Sequence, residues 1–145
     1  MKARIKWVQD VMFLGESGSG HAVVMDGAPA AGGRNLGVRP MECLLLGLGG
    51  CSAFDVVMIL KRGREQVTDC IVEIDAERAT TDPKVFTNIT MRYVITGRAL
   101  DRNKVERAVN LSAEKYCSAT AMFAKTATIS HQIEIIDQTQ RGVTT

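Results

Sequence analysis

The chain has 145 residues, 46% hydrophobic and 23% charged, which is an ordinary balance for one globular domain and too apolar for a disordered chain. Eighteen Lys and Arg against sixteen Asp and Glu leave a formal charge of +2, too mild to hold nucleic acid by its field alone. Aromatic residues at 5% exclude a stacking platform for single-stranded bases, and no apolar run approaches the ~18–20 residues of a bilayer span.

Met1 to Trp7 alternates apolar and charged residues, and no apolar leader stretch follows it. The expectation is a cytoplasmic chain that engages neither membrane nor nucleic acid. Residues 2–8 and 11–14 have strand character, and residues 21–25 form another short strand. Between them, Gly15-Glu16-Ser17-Gly18-Ser19-Gly20 is glycine-rich enough to test as a phosphate loop. It fails, because His21 stands where such a loop needs its lysine, and a hairpin connection remains.

From Asp26 to Arg39 the composition shifts to Gly, Ala, Pro and Asn with two arginines, Arg34 and Arg39, which reads as a long loop. Pro40 suits the first turn of a helix. The nearly continuous apolar stretch from Met41 to Leu60 predicts a helix buried on nearly all sides, ended by Lys61-Arg62-Gly63. Gly47, Gly49 and Gly50 each cost about 1 kcal/mol of helix propensity, which points to another element crossing closely there.

Two long strands are predicted over 68–79 and 85–97. On the first, Cys70, Val72, Ile74 and Ala76 alternate with Asp69, Glu73, Asp75 and Glu77, with Ile71 interrupting; on the second, Ile89, Met91, Tyr93 and Ile95 share a face. Asp101 is a natural cap for a helix whose inward series is Val105, Ala108, Val109, Ser112 and Tyr116. A break at Cys117 precedes a short helix, and residues 127–136 form the last strand. Strands and helices come in blocks without βαβ alternation, which predicts an α+β fold: one domain over residues 1–138, with 139–145 as a frayed tail.

The cysteines Cys43, Cys51, Cys70 and Cys117 are spaced by 8, 19 and 47 residues, with no CxxC pair and with His21 and His131 far from any of them. That spacing gives no support to a structural metal site. Cys70 reads as a small hydrophobe on its strand's inward face, Cys43 as core packing and His131 as a satisfied strand histidine. His21, near a turn, reads as exposed. Cys51 lies mid-helix beside two glycines. Cys117 stands where a helix N-terminus would favour its thiolate. Two such cysteines can pass through thiolate, sulfenic acid and disulfide if the fold brings them together.

The segment Pro40-Met41-Glu42-Cys43-Leu44-Leu45-Leu46-Gly47-Leu48-Gly49-Gly50-Cys51-Ser52-Ala53-Phe54-Asp55-Val56 resembles the central-helix motif of the OsmC-like proteins, which include organic hydroperoxide reductases and osmotically induced peroxidases. Glu114-Lys115-Tyr116-Cys117-Ser118-Ala119-Thr120 resembles their second cysteine motif. The resemblance covers almost the whole chain and is similar to a less characterised subgroup carrying Gly-Gly-Cys and a following Asp-Val. It implies antiparallel sheets wrapped around a long buried helix in an intertwined homodimer, with thiol-dependent reduction of small hydroperoxides and no metal or organic cofactor. Cys51 then matches the peroxidatic position, Cys117 the resolving one, and an external dithiol restores both. Reductases of the family carry an arginine near the first hairpin; residues 11–25 have none, which leaves Arg34 or Arg39 to substitute. Glu42 falls one place later than the family's glutamate and, nine residues before Cys51, on the opposite side of the helix. Asp55, one turn after Cys51, shares its face and is positioned to orient an arginine, bind a polar ligand or pair with a basic side chain between helices. The alternative function is a non-catalytic protein binding a small apolar or acidic ligand in the interface pocket.

Overall fold

A computed structural model describes residues 1–140, which form two compact units, Met1–Leu46 and the chain from Gly47 onward. The first unit opens with three strands, β1 (Ala3–Gln9), β2 (Met12–Ser17) and β3 (Ala22–Met25), paired antiparallel in that order. The glycine-rich stretch is indeed a hairpin connection, although Gly15 to Ser17 belong to β2 and only the remainder turns. Gly20 adopts φ +86°, a conformation that glycine reaches without a Cβ clash.

The loop after β3 is organised around one carboxylate. Asp26 is 2% exposed and accepts the backbone N–H groups of Gly27 (2.8 Å), Arg34 (3.1 Å) and Leu36 (3.1 Å). The bond from Leu36 is the largest influence holding its pKa below the usual carboxylate value, against the opposing effect of burial. Gly33 is required here, because a Cβ would lie 2.0 Å from the Gly27 carbonyl oxygen. The loop contains a short 3-10 turn, Pro29–Ala31, and is closed by the Asp26 N–H donating to Val38.

Helix α1 (Pro40–Arg62) starts at the predicted proline and ends in Lys61 and Arg62, which suit the negative end of its dipole. Its 23 residues are long and apolar enough to cross a membrane by length and composition, so the sequence reading that no segment reached that length is corrected. Expected burial on nearly all sides is corrected too. Leu48, Gly49, Ser52, Val56 and Leu60 are buried, a stripe at three- and four-residue spacing, while Leu46 and Phe54 are 63% and 68% exposed. Only Gly49 is crowded: a Cβ there would stand 3.0 Å from Ile74, whereas Gly47 and Gly50 meet nothing within 4 Å.

In the second unit β4 (Gln66–Arg78) and β5 (Phe86–Arg98) form the expected antiparallel pair, and β6 (Thr128–Asp137) adds to the other side of β5. The β5–β6 pairing is parallel, so the sheet is not wholly antiparallel and a crossover of the βαβ kind does occur. The cause lies in the connection: helix α2 (Arg102–Leu111) and helix α3 (Ser118–Phe123) return the chain to the end from which β5 set out. Ile89, Met91, Tyr93 and Ile95 of β5 are at most 1% exposed, the inward face that the alternation predicts. On the opposite face Arg92 is held between Glu73 and Glu134, which raise its pKa.

Asp101 caps α2 as expected, accepting from the N–H groups of Asn103 and Lys104. Val105, Ala108, Val109 and Ser112 point inward, but Tyr116 is 51% exposed. A single π-helical turn, Ser112–Tyr116, closed by the Cys117 N–H on the Ser112 carbonyl, breaks the four-residue spacing. It carries Tyr116 out of the inward series and turns Cys117 in. Thr139, placed in the tail by the sequence reading, is held in a 3-10 turn by two hydrogen bonds to Asp137 Oδ1. The rest of the expected tail, residues 141–145, lies outside the described residues.

Candidate functional site

Cys51 and Asp55 are one turn apart on α1 and so share a face. Cys117 reaches them from the junction between the π turn and α3, where it is the N-cap residue. The Cys51 Sγ, a carboxylate oxygen of Asp55 and the Cys117 Sγ all lie within 4.8 Å of one another. All four cysteines are free thiols. Cys51 and Asp55 are half-buried, and Cys117 is only 3% exposed.

The Cys117 sulfur accepts the Thr120 N–H at 3.4 Å, which favours its thiolate, as the sequence reading anticipated for a helix start. Burial outweighs that contact, and the neighbouring Cys51 adds to it, so the Cys117 thiol is pushed up from its ordinary value. The expectation of a ready thiolate at this position is therefore corrected. A six-residue helix with one N–H on sulfur does not repay the loss of water around a charge.

Beneath the three groups runs a buried hydroxyl chain that the sequence reading did not identify. Tyr93 Oη lies 2.7 Å from Ser52 Oγ, Ser52 Oγ lies 3.0 Å from Ser112 Oγ, and Ser112 Oγ donates to Asp55 Oδ2 at 3.3 Å. Tyr93, Ser52 and Ser112 are all 0% exposed, and burial pushes the Tyr93 phenol up to about 12. The phenol therefore keeps its proton and donates. Ser52 then donates to Ser112, and Ser112 to the carboxylate, so each hydroxyl gives one bond and the two serines each receive one. The available signals were Ser52 directly after Cys51 and Ser112 inside an apolar helical series.

This chain carries a stability prediction. Ser52→Ala strips the shared partner from two buried hydroxyls and is expected to cost about 1–3 kcal/mol, whereas Tyr93→Phe leaves Ser52 bonded to Ser112 and costs about 1 kcal/mol or less. Urea unfolding of both variants checks the order; an equal or larger loss for Tyr93→Phe would mean the chain does not work as a unit.

The other residues singled out from the sequence find different employment. Glu42 accepts the Arg39 backbone N–H at 2.8 Å, satisfying a free donor at the start of α1. The Arg39 guanidinium donates to the carbonyls of Asp26 and Gly37 and to Asn35 Oδ1, and Arg34 lies 3.7 Å from Asp10. These contacts belong to the first unit, where Arg39 braces its own loop and Arg34 reaches the turn between β1 and β2. Cys43 lines an apolar hollow of about 410 Å³ with Ile5, Val23 and Met25. Cys70 is half-buried on the inward face of β4, and burial raises its pKa. His21 is exposed, as expected. His131 departs from the reading as a satisfied histidine: its Nε2 is buried with no partner among the described residues, and burial lowers its pKa.

The comparisons with known proteins agree with this architecture. The model of the family "OsmC-like protein" matches residues 32–132. Protein YhfA of Escherichia coli K12 is 47% identical over 136 residues, covering 94% of this chain and 98% of its own. A solved structure of a hypothetical protein from Aquifex aeolicus VF5 superposes with a TM-score of 0.83 at 29% identity, over 94% of this chain and 96% of that one. An organic hydroperoxide resistance protein OsmC from Legionella pneumophila superposes with a TM-score of 0.70 at 16% identity, over 92% and 95%, a likeness of fold alone. The chain belongs to the OsmC-like family and has its mixed α+β fold.

Proposed function

We propose that this protein reduces organic hydroperoxides through a thiol cycle between Cys51 and Cys117. One observation carries the reading: two sulfurs remote along the chain lie within 4.8 Å of each other. Cys51, the more accessible of the two, attacks a peroxide oxygen as the thiolate. The O–O bond breaks, the departing alkoxide takes a proton and leaves as an alcohol, and Cys51 becomes a sulfenic acid. The Cys117 thiolate then attacks the Cys51 sulfur. A disulfide forms, hydroxide leaves with a proton as water, and an external dithiol reduces the disulfide by exchange. A Legionella protein of this fold described as an organic hydroperoxide resistance protein supports the substrate class.

The working form is proposed to be a homodimer in a reducing, cytoplasmic setting. Leu44, Leu46 and Phe54 of α1 are 48%, 63% and 68% exposed, and the open sides of Gly47 and Gly50 permit close approach of a second backbone. One equivalent of cumene hydroperoxide added to the reduced protein is expected to give a single Cys51–Cys117 linkage, read by mass spectrometry of alkylated peptides, with Cys43 and Cys70 left as thiols. Recovery of all four thiols would overturn the reading in favour of a non-catalytic ligand-binding protein.

A further inference from the structure

The site has a feature that thiol chemistry alone does not call for. A carboxylate oxygen of Asp55 stands within 4.8 Å of both sulfurs. Two thiolates and a carboxylate in that space repel one another unless a cation sits between them. We propose that, in the reduced protein, Cys51, Asp55 and Cys117 bind a thiophilic divalent cation, with Zn²⁺ the best match, and that hydroperoxide expels it. The binding stands on the geometry by itself; the expulsion rests on the thiol cycle proposed above.

Zn²⁺ bonds to sulfur at ~2.3 Å and to carboxylate oxygen at ~2.0–2.2 Å in tetrahedral sites, which places two ligating sulfurs about 3.8 Å apart. Three atoms already within 4.8 Å need only side-chain adjustment to reach that spacing. Two sulfurs favour zinc over magnesium or calcium, and three protein ligands leave the fourth tetrahedral position to water. The surroundings are those of a supported ligand set. Ser112 donates to Asp55 Oδ2, which fixes the carboxylate and leaves its other oxygen for the metal. The Thr120 N–H donates to the Cys117 sulfur and stabilises it as a thiolate ligand. Spacing in the sequence gave no sign of such a site, because Cys117 joins the Cys51–Asp55 pair only through the fold.

Oxidation removes both sulfur ligands at once. The zinc-bound pair of thiolates, one hydroperoxide and two protons give the Cys51–Cys117 disulfide, one alcohol, one water and free Zn²⁺, so the two electrons lost by sulfur are those that cleave the O–O bond. The metal would thus guard the thiols at rest, and its release would mark oxidation.

Competition between the reduced protein and a chromophoric zinc chelator, with Zn²⁺ alone as the probe and no peroxide present, tests the site. One zinc per chain is expected, lost in Cys51→Ser and in Cys117→Ser and kept in Cys43→Ser. Asp55→Asn, which preserves side-chain size, is expected to weaken binding at least tenfold while leaving both thiols in place. Cobalt in place of zinc should show thiolate-to-metal charge transfer with tetrahedral d–d bands. No stoichiometric metal in the parent protein, or equal affinity in Asp55→Asn, overturns the site whatever the peroxide chemistry proves to be. Zinc appearing in step with disulfide on adding cumene hydroperoxide to the loaded protein supports the expulsion. Metal retained while the metal-free protein consumes peroxide overturns the expulsion and leaves the thiol cycle standing.

Discussion

Cys51→Ser is expected to abolish hydroperoxide turnover, whereas Cys117→Ser should consume about one equivalent and stop with a sulfenic acid on Cys51. The asymmetry follows from access. Cys117 is 3% exposed beneath its helix junction, while Cys51 is half-buried on α1 and is the sulfur a bulky hydroperoxide can approach. A serine hydroxyl at position 51 is a weak nucleophile without an activating base, and a loss of at least ~1,000-fold is expected, about 4 kcal/mol of barrier. Steady-state assays with a dithiol reductant measure the first effect, and a sulfenic-acid-trapping dione with intact-mass detection measures the second. Neither substitution removes a member of the Tyr93–Ser52–Ser112 chain, so unfolding curves should move little. Turnover at the parent rate in both variants would exclude the cycle. Turnover lost in Cys117→Ser with Cys51 still a thiol would exchange the two roles.

The strands and the α2 cap were legible because local rules decide them. Cys70, Val72, Ile74 and Ala76 alternate with charged residues except at Ile71, and the sheet keeps that alternation as an inward and an outward face. Asp101 sits at a position where a carboxylate meets free N–H groups whatever lies further away. Pairing between remote segments was not legible. The parallel partnership of β5 with β6 depends on the path of the intervening helices. Tyr116 was misread because periodicity assumes an unbroken α-helix, and one π turn shifts every later residue. That same turn delivers Cys117 to the site, so the irregularity that defeats the pattern also assembles the constellation. The Cys51–Asp55 half could be read from helical geometry, and motif resemblance pointed to Cys117. The hydroxyls that tie Asp55 to Tyr93 needed the three-dimensional arrangement.

Disulfide formation after the first oxidation is expected to accelerate with rising pH, by at most about tenfold per unit, and to go on accelerating through the ordinary thiol range, because only the Cys117 thiolate attacks the sulfenic acid. Burial is the largest influence on Cys117 and raises its pKa. The sign follows directly: a raised value leaves the thiol protonated at neutral pH, so the thiolate fraction keeps growing past the ordinary ~8.5 before levelling. The Thr120 N–H opposes this but does not reverse it. Oxidising Cys51 changes that neighbour's contribution and leaves the burial in place, so the direction survives the first step. Rapid-quench single turnovers, with Cys51 oxidation timed separately in Cys117→Ser, isolate the second step. A rate already level by pH 7 would mean that Cys117 is a preformed thiolate, and that the fold supplies a compensating positive charge in the assembled protein. A continued rise makes resolution the slow half-reaction at neutral pH and gives the sulfenic acid a lifetime long enough to be intercepted by other thiols.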